Sequence, residues 1–191
     1  MTPFEFVFFL YALMLSLALT HLVGGWAMAL RHASAIKWSL PHLMWAVSAL
    51  FLTIGNLASF WQMRDAPTWT SWLVLSNFAF ALLNYVFCVF ITPEVDTGAV
   101  LDLEAFHADE RRRYLAPLVL LEIVAIFSNV ANGLYAGYDH WQSDLVVSAA
   151  ELSVTLVAIL SARNWVQLAA GAATLAMSSW FVIAASSIIG T

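Results

Sequence analysis

Long apolar segments alternate along the chain with short polar ones, and the apolar segments occur six times. Their approximate bounds are 5–30, 39–63, 72–92, 115–137, 145–162 and 166–190. A helix that crosses the hydrocarbon core of a bilayer needs about 20 mainly apolar residues. The pattern therefore predicts a single all-α domain, a polytopic membrane bundle of about six transmembrane helices with short loops. Because the fifth segment is the shortest, a bundle of five helices is the competing prediction.

Composition supports a lipid environment for most of the chain. Of the 191 residues, 62% are apolar and only 10% are charged, whereas soluble domains are about 45–50% apolar and about 25% charged. No soluble fold hides that much apolar surface. The first segment is expected to be a retained helix and not a cleaved signal peptide, since no Lys or Arg precedes Arg31. The expected surroundings are the lipid bilayer, and no nucleic-acid partner is expected.

Positive charges predict the orientation of the bundle. Arg31 and Lys37 lie in the first loop, residues 111–113 in the third and Arg163 in the fifth, against Arg64 alone in the even loops. Loops rich in Lys and Arg stay on the cytoplasmic side of a membrane. The odd loops are therefore predicted to be cytoplasmic, and both termini periplasmic if the membrane is a bacterial inner membrane.

The connection formed by residues 93–114 is longer than a turn. A short helix is expected after Asp102, lying along the cytoplasmic surface, with Leu103, Phe106 and Tyr114 near one face. Pro117 is expected in the first turn of the fourth span, where its missing N–H costs nothing.

Three consecutive arginines stand in this cytoplasmic loop. Arg111, Arg112 and Arg113 are predicted to meet anionic lipid headgroups, each contributing about 1 kcal/mol near such a surface. Two alternatives are a plain topology anchor and a docking site for a partner.

Polar side chains inside the spans recur at seven-residue spacing, as at Glu122 and Asn129 or at Asn77 and Asn84. This spacing returns a side chain to the same helix face. Such faces are expected to point into the bundle, because lipid offers no hydrogen-bond partners. The candidate residues of a proton or ion pathway are Glu122, His21, Glu151, Asn129, Asn132, Asn77, Asn84 and Asn56.

Depth within the spans predicts two polar layers. At about 1.5 Å per residue, His21 and Glu122 lie about 10–13 Å from the cytoplasmic side, and Glu151 about 8–12 Å from the outer side. An ionisable group in hydrocarbon costs several kcal/mol unless it is paired, hydrated or neutral. The functional interpretation is a proton relay or a cation site between the layers. The structural interpretation is that protonated carboxyls and amides hold the helices together.

The sequence lacks the residues that several classes of chemistry require. The only lysine, Lys37, lies in a loop, which excludes a retinal Schiff base, and the lone Cys88 excludes cysteine clusters. No HExxH, GxSxG or P-loop pattern occurs. Haem between His21 and His42 is disfavoured, because their depths differ by about 9 Å. No cofactor, metal site or catalytic residue is predicted.

Three hypotheses about function follow. The preferred one is a small transporter or channel that moves a proton, an ion or a small solute along the buried polar residues. The second is a non-catalytic accessory or scaffold subunit of a larger membrane complex, or a homo-oligomer. The third, a membrane-embedded cofactor carrier or enzyme, needs a bound group that the sequence does not identify.

Overall fold

The computed structural model describes residues 2–65, 69–94, 100–135 and 141–189. Its helices are α1 (Pro3–Arg31), α2 (Leu40–Phe60), α3 (Ser71–Ile91), α4 (Leu103–Tyr135), α5 (Trp141–Leu160) and α6 (Asn164–Ile189). Two short strands, β1 (Ile36–Lys37) and β2 (Leu101–Asp102), lie in the loops. In these ranges, six helices are long and apolar enough to cross a membrane. The prediction of a six-helix membrane bundle is confirmed, and the five-helix alternative is wrong.

Local capping chemistry explains where two of the helices begin. At the start of α1, the Thr2 hydroxyl accepts a hydrogen bond from the Glu5 N–H at 3.1 Å, and the Glu5 carboxylate accepts one from the Thr2 N–H at 2.7 Å. The Thr70 hydroxyl accepts from the Leu73 N–H at the start of α3. These side chains satisfy backbone donors that have no partner within the helix.

The helices form a ring in the order α1, α3, α4, α5, α6, α2, and α2 also contacts α3 and α4 across the ring. The most extensive interface joins α2 to α6. Two glycines allow the close approach of these helices: a Cβ atom at Gly55 would collide with Phe181, and one at Gly171 would crowd Met44. Small residues at helix interfaces are a common means of close packing in membranes.

The core divides into two clusters along the bundle axis. One contains Trp45, Phe87 and Tyr114, all less than 2% exposed. The other is a group of stacked aromatic rings that includes Tyr11 and Phe60, whose centroids lie 4.4 Å apart. Trp45 is therefore a buried residue of the core.

Helix α4 begins earlier than the sequence predicted. It starts at Leu103 and continues without a break to Tyr135. The expected helix after Asp102 therefore exists, but it forms the first turns of the fourth span instead of a separate surface helix, and Pro117 lies inside α4. Hydropathy reports where a segment is apolar and not where a helix begins, so it placed this start twelve residues too late.

The two strands join the first and third loops. Ile36 pairs with Leu101 and Lys37 with Asp102 in a parallel register. The Lys37 ammonium lies 3.1 Å from the Asp102 carboxylate and 2.9 Å from that of Glu104. We call the end of the bundle that carries the α1–α2, α3–α4 and α5–α6 connections the basic end; it is the end that the sequence predicts to be cytoplasmic.

Asp102 also caps α4, because its Oδ1 accepts hydrogen bonds from the Glu104 and Ala105 N–H groups at 2.9 and 3.0 Å. The bond from Ala105, followed by that from Lys37, lowers the pKa of the Asp102 carboxyl below its usual 3.8. A group whose pKa is lower in the folded state stabilises the fold above its unfolded pKa. That stabilisation is lost as the pH falls through the lowered value.

We expect Asp102→Ala to lower the melting temperature of the detergent-solubilised protein at neutral pH. Asp102→Asn should lower it less, because an asparagine side chain still caps a helix. The difference between wild type and Asp102→Ala should shrink as the pH falls below 3.8, where the wild-type carboxyl becomes protonated. Thermal unfolding followed by circular dichroism across this pH range is the measurement. A difference that stays constant down to the lowest pH would contradict the role of the charged carboxylate.

Candidate functional site

Two carboxyl groups meet inside the bundle. Glu122 of α4 is 2% exposed and Glu151 of α5 is 8% exposed. Their side chains are within hydrogen-bonding range of each other. Because an ionised carboxylate only accepts hydrogen bonds, a bond between two carboxyls requires at least one proton on the pair. We call Glu122 and Glu151 the carboxyl pair; it carries at most one negative charge while that bond is present.

The structure corrects the expected separation of the two glutamates into opposite layers. Helix α5 begins at Trp141, four residues before the predicted start of the fifth span. This extra turn places Glu151 ten residues after the start of α5, about 15 Å from that start at 1.5 Å per residue. At that depth Glu151 reaches Glu122 on the antiparallel neighbour, so one site replaces the two layers.

Buried polar side chains of α5 and α6 lie beside the carboxyl pair and between it and the basic end. The Gln167 side-chain amide donates hydrogen bonds to the Ala158 and Ser161 carbonyls at 2.7 and 2.6 Å, which fixes the register of α5 against α6. Glu151 lies seven residues before Ala158 on α5, and Thr174 lies seven residues after Gln167 on the antiparallel α6. Glu151 and Thr174 are therefore at the same level of the bundle.

Thr174 and Thr155 of the α5–α6 region are both buried, and the hydroxyl of each has no hydrogen-bond partner among the described residues. Thr155 lies one helical turn from Glu151 on the same face of α5. The carboxyl pair is therefore bordered by hydroxyl groups that can still form hydrogen bonds.

On the other side of the carboxyl pair, the Asn129 amide donates to the Ser148 hydroxyl at 3.4 Å. Asn129 is half-buried at the boundary between α4 and α5. Asn132 belongs to α4, but its side chain lies outside the described residues. Among the candidate asparagines, Asn129 is thus the one that the structure connects to the same helix interface as the carboxyl pair.

The other asparagines lie on α2 and α3 and not at the α4–α5 interface. Asn84 is fully buried, and its Oδ1 accepts from the Thr53 hydroxyl at 2.8 Å and from the Cys88 thiol at 3.7 Å. Asn56 is buried on α2, and Asn77 donates to the Leu73 carbonyl of its own helix at 2.7 Å. Asn56, Asn77 and Asn84 therefore do not form one continuous line with the carboxyl pair.

His21 does not approach Glu122. Its side chain is exposed on the outer surface of α1, a helix that packs against α2 and α3. The sequence places His21 and Glu122 at equal depth, but His21 is exposed and Glu122 is buried inside the bundle, so the expectation that the two side chains are neighbours is wrong. His42 is buried beside α4 on a different side of α2 from α1, so the two histidines do not face each other.

The three arginines have different surroundings. Arg112 is exposed. Arg113 pairs with Glu110 at 3.3 Å and lies 4.8 Å from the centre of the Phe90 ring. Arg111 is half-buried, and its Nε has no hydrogen-bond partner among the residues that the structure describes. Contact of these residues with lipid headgroups stays a prediction.

A second polar cluster at the basic end was not found from the sequence. Its members lie on the first turns of α2, α4 and α6: His42, Trp45, His107, Arg111, Tyr114 and Gln167. We call these residues the basic-end cluster. The sequence prediction placed His107 in a surface loop, and for that reason overlooked it. If α4 is extended back to Leu103, the seven-residue spacing of His107 and Tyr114 places both side chains on one helix face, and this pattern would have indicated the cluster.

Metal binding requires several ligands at one point. In the described ranges, no group of three or more His, Cys, Asp or Glu side chains is arranged to hold a metal ion. The carboxyl pair can instead hold a proton, and the hydroxyls beside it can take part in hydrogen-bonded proton transfer.

Comparison of the chain with protein-family models, with curated proteins and with solved structures finds no match.

A double-mutant cycle tests whether the two carboxyls interact. Glu122→Leu and Glu151→Leu should each destabilise the protein, because each leaves one buried carboxyl without its partner. The double variant should recover part of the loss, since replacing a buried polar pair by apolar side chains is often neutral or stabilising. We expect a coupling energy of about 0.5–2 kcal/mol from unfolding in mixed micelles. The matched control pairs Glu122→Leu with Ser153→Ala, on the exposed face of α5, and should give a coupling near zero.

Proposed function

We propose that the protein carries protons across the membrane, alone or together with a small solute, and that the carboxyl pair is its central proton-binding site. The observation that carries this proposal is the contact between Glu122 and Glu151 inside the bundle. The pair can exchange a proton without creating two adjacent negative charges, because the two groups share their charge and their hydrogen bond.

Energetics favour a functional explanation of the pair. Ionisable groups within a membrane are costly, and apolar residues of similar size often replace buried polar pairs without loss of stability. Asn84 already provides a polar contact between α2 and α3. Packing of the helices therefore does not require a pair of carboxyl groups. The property that distinguishes carboxyl groups from amides is that they bind and release a proton.

Polar side chains on both sides of the pair support a proton route. Toward the basic end stands the hydroxyl of Thr155, and at the level of Glu151 stands that of Thr174; both lack partners among the described residues. Toward the opposite end stand Ser148 and Asn129. Buried groups of this kind are usually satisfied by ordered water. A short chain of water molecules along these side chains would complete the route.

Proton flux into liposomes tests the proposal. Purified protein is reconstituted with a pH-sensitive dye inside the vesicles, and a potassium gradient with valinomycin drives protons inward. Wild-type protein should acidify the interior, while Glu122→Gln and Glu151→Gln should each reduce the rate about tenfold or more, because an amide cannot release a proton.

The matched control is Glu104→Gln, which removes an exposed carboxyl at the basic end and should leave the rate unchanged. A wild-type rate equal to that of empty vesicles would reject proton movement under this driving force. Equal rates in the wild type and in folded Glu122→Gln would reject the role of the carboxyl pair.

A second candidate function, an accessory subunit of a larger membrane complex, is favoured by one observation. The His21 imidazole is exposed on a face of α1 that otherwise presents apolar side chains such as Leu13 and Leu17. Hydrocarbon offers an imidazole no hydrogen-bond partner. A helix of another membrane protein against this face of α1 would supply one, and Gly24, one turn away, leaves room for it.

Gentle solubilisation and native mass measurement test this second candidate. If α1 contacts a partner, protein extracted from its own membrane should appear at a mass above that of one chain. His21→Leu should reduce this assembly severalfold, whereas Leu13→Val on the same surface should not. A monodisperse particle of one chain alone would contradict the accessory role.

A further inference from the structure

An open groove, which we call the α5–α6 groove, lies on the outer surface of the bundle between these two helices. Its volume is about 360 Å³, within the range of about 300–1,000 Å³ that is typical of small-molecule sites. Helix α5 lines it with Ser153, Val154 and Val157, and α6 lines it with residues from Trp165 to Ala173. The groove therefore begins near the basic end and extends about 12 Å along α6 toward the middle of the bundle, at 1.5 Å per residue.

Small side chains on α6 keep the groove open. Ala169, Ala170 and Ala173 fall on the face that α6 turns toward the groove, and the side chain of each is a single carbon atom. Val166 and Ala170 are buried at the bottom of the groove, whereas Val157 is exposed at its edge. Because the groove lies on membrane-spanning helices, its open side faces the hydrocarbon of the bilayer.

The surface of the groove is suited to hydrocarbon and not to a polar ligand. Of the described residues that line it, only Ser153 and Trp165 carry a nitrogen or oxygen atom on the side chain. The Ser153 hydroxyl donates its hydrogen bond to the Ala149 carbonyl of its own helix at 2.7 Å. The Trp165 indole lies at the basic end of the groove, and tryptophan is enriched where membrane helices meet water. The interior of the groove therefore offers mainly apolar contacts.

Arg163 supplies a positive charge at the basic end of the groove. It directly precedes α6, is exposed, and stands just before Trp165 in the chain. Lys37 and Arg113, also at the basic end, are paired with carboxylates, but within the described part of the chain no carboxylate is paired with Arg163. A guanidinium binds a phosphate group well, because its planar fork can donate two parallel hydrogen bonds. An apolar groove that ends beside this cation matches a molecule with a hydrocarbon chain and an anionic head.

We propose that the α5–α6 groove binds an anionic phospholipid, with one acyl chain lying between the helices and the phosphate bound by Arg163. A headgroup with a net negative charge fits better than phosphatidylcholine, because the choline group would bring a second positive charge to the guanidinium. Anionic lipids give the cytoplasmic leaflet its negative surface potential, and the basic end is the end that the sequence predicts to be cytoplasmic.

A helix of a second copy fits the groove less well. Two copies in one membrane have the same orientation, so a symmetric contact through this groove would bring both Arg163 side chains to the same level. Repulsion between two like charges opposes such a contact.

Solution NMR of the protein in uncharged maltoside micelles tests the proposal, with the Trp165 indole N–H as the reporter. This signal is assigned by its loss in Trp165→Phe. Phosphatidylglycerol with two octanoyl chains should shift the signal in a saturable manner. Phosphatidylcholine with the same chains should bind about tenfold more weakly, because it lacks the net charge that the guanidinium favours. Arg163→Gln should remove this preference and bind both lipids equally.

A matched pair of variants tests whether the acyl chain occupies the groove. Ala173→Leu fills its inner end and should weaken both lipids severalfold, whereas Ala172→Leu, on an exposed position outside the groove, should have no effect. Absence of a saturable shift with the Trp165 signal visible, equal affinities of wild type for the two lipids, or equal effects of the two leucines would each overturn the proposal. A shift that depends on protein concentration without lipid would also overturn it, and would assign the groove to a second copy.

Discussion

The bundle is organised by the need of its buried polar groups to form hydrogen bonds where no water is present. Hydrocarbon offers no hydrogen-bond partners, so each buried polar side chain must find one on another helix, on its own helix or on a bound molecule. The Thr53–Asn84 bond joins α2 to α3, and the Gln167 amide joins α6 to the end of α5. These contacts fix the register of neighbouring helices, which apolar side chains alone leave weakly determined.

Close packing of α2 against α6 organises the basic end. Gly55 and Gly171 let the two helices approach, and Trp45 is thereby held against α6 with its indole N–H buried. Helix α4 reaches the same region because the Asp102 cap starts it twelve residues before its apolar segment. The parallel β1–β2 pair holds that start beside the first loop. A buried cluster of imidazoles, an indole and an amide is the result.

The carboxyl pair lies on α4 and α5 and the basic-end cluster on α2, α4 and α6, so α4 contributes to both, but the two differ in chemistry. Glu122 and Glu151 are acidic, whereas the basic-end cluster contains imidazoles, an indole and a guanidinium.

The number and approximate extent of the helices follow from the sequence alone, because the apolar length of a span reflects the thickness of the membrane. It also identified Glu122, Glu151 and Asn84 as inward-facing, since lipid disfavours polar surfaces. It could not determine which helices are neighbours, and so it paired Glu122 with His21, which turns outward. Hydropathy likewise could not reveal that α4 extends past its apolar segment to bury His107. Side-chain partners depend on how each helix is rotated and aligned against its neighbours. Contacts between helices set both, so these points follow from the folded structure and not from the sequence.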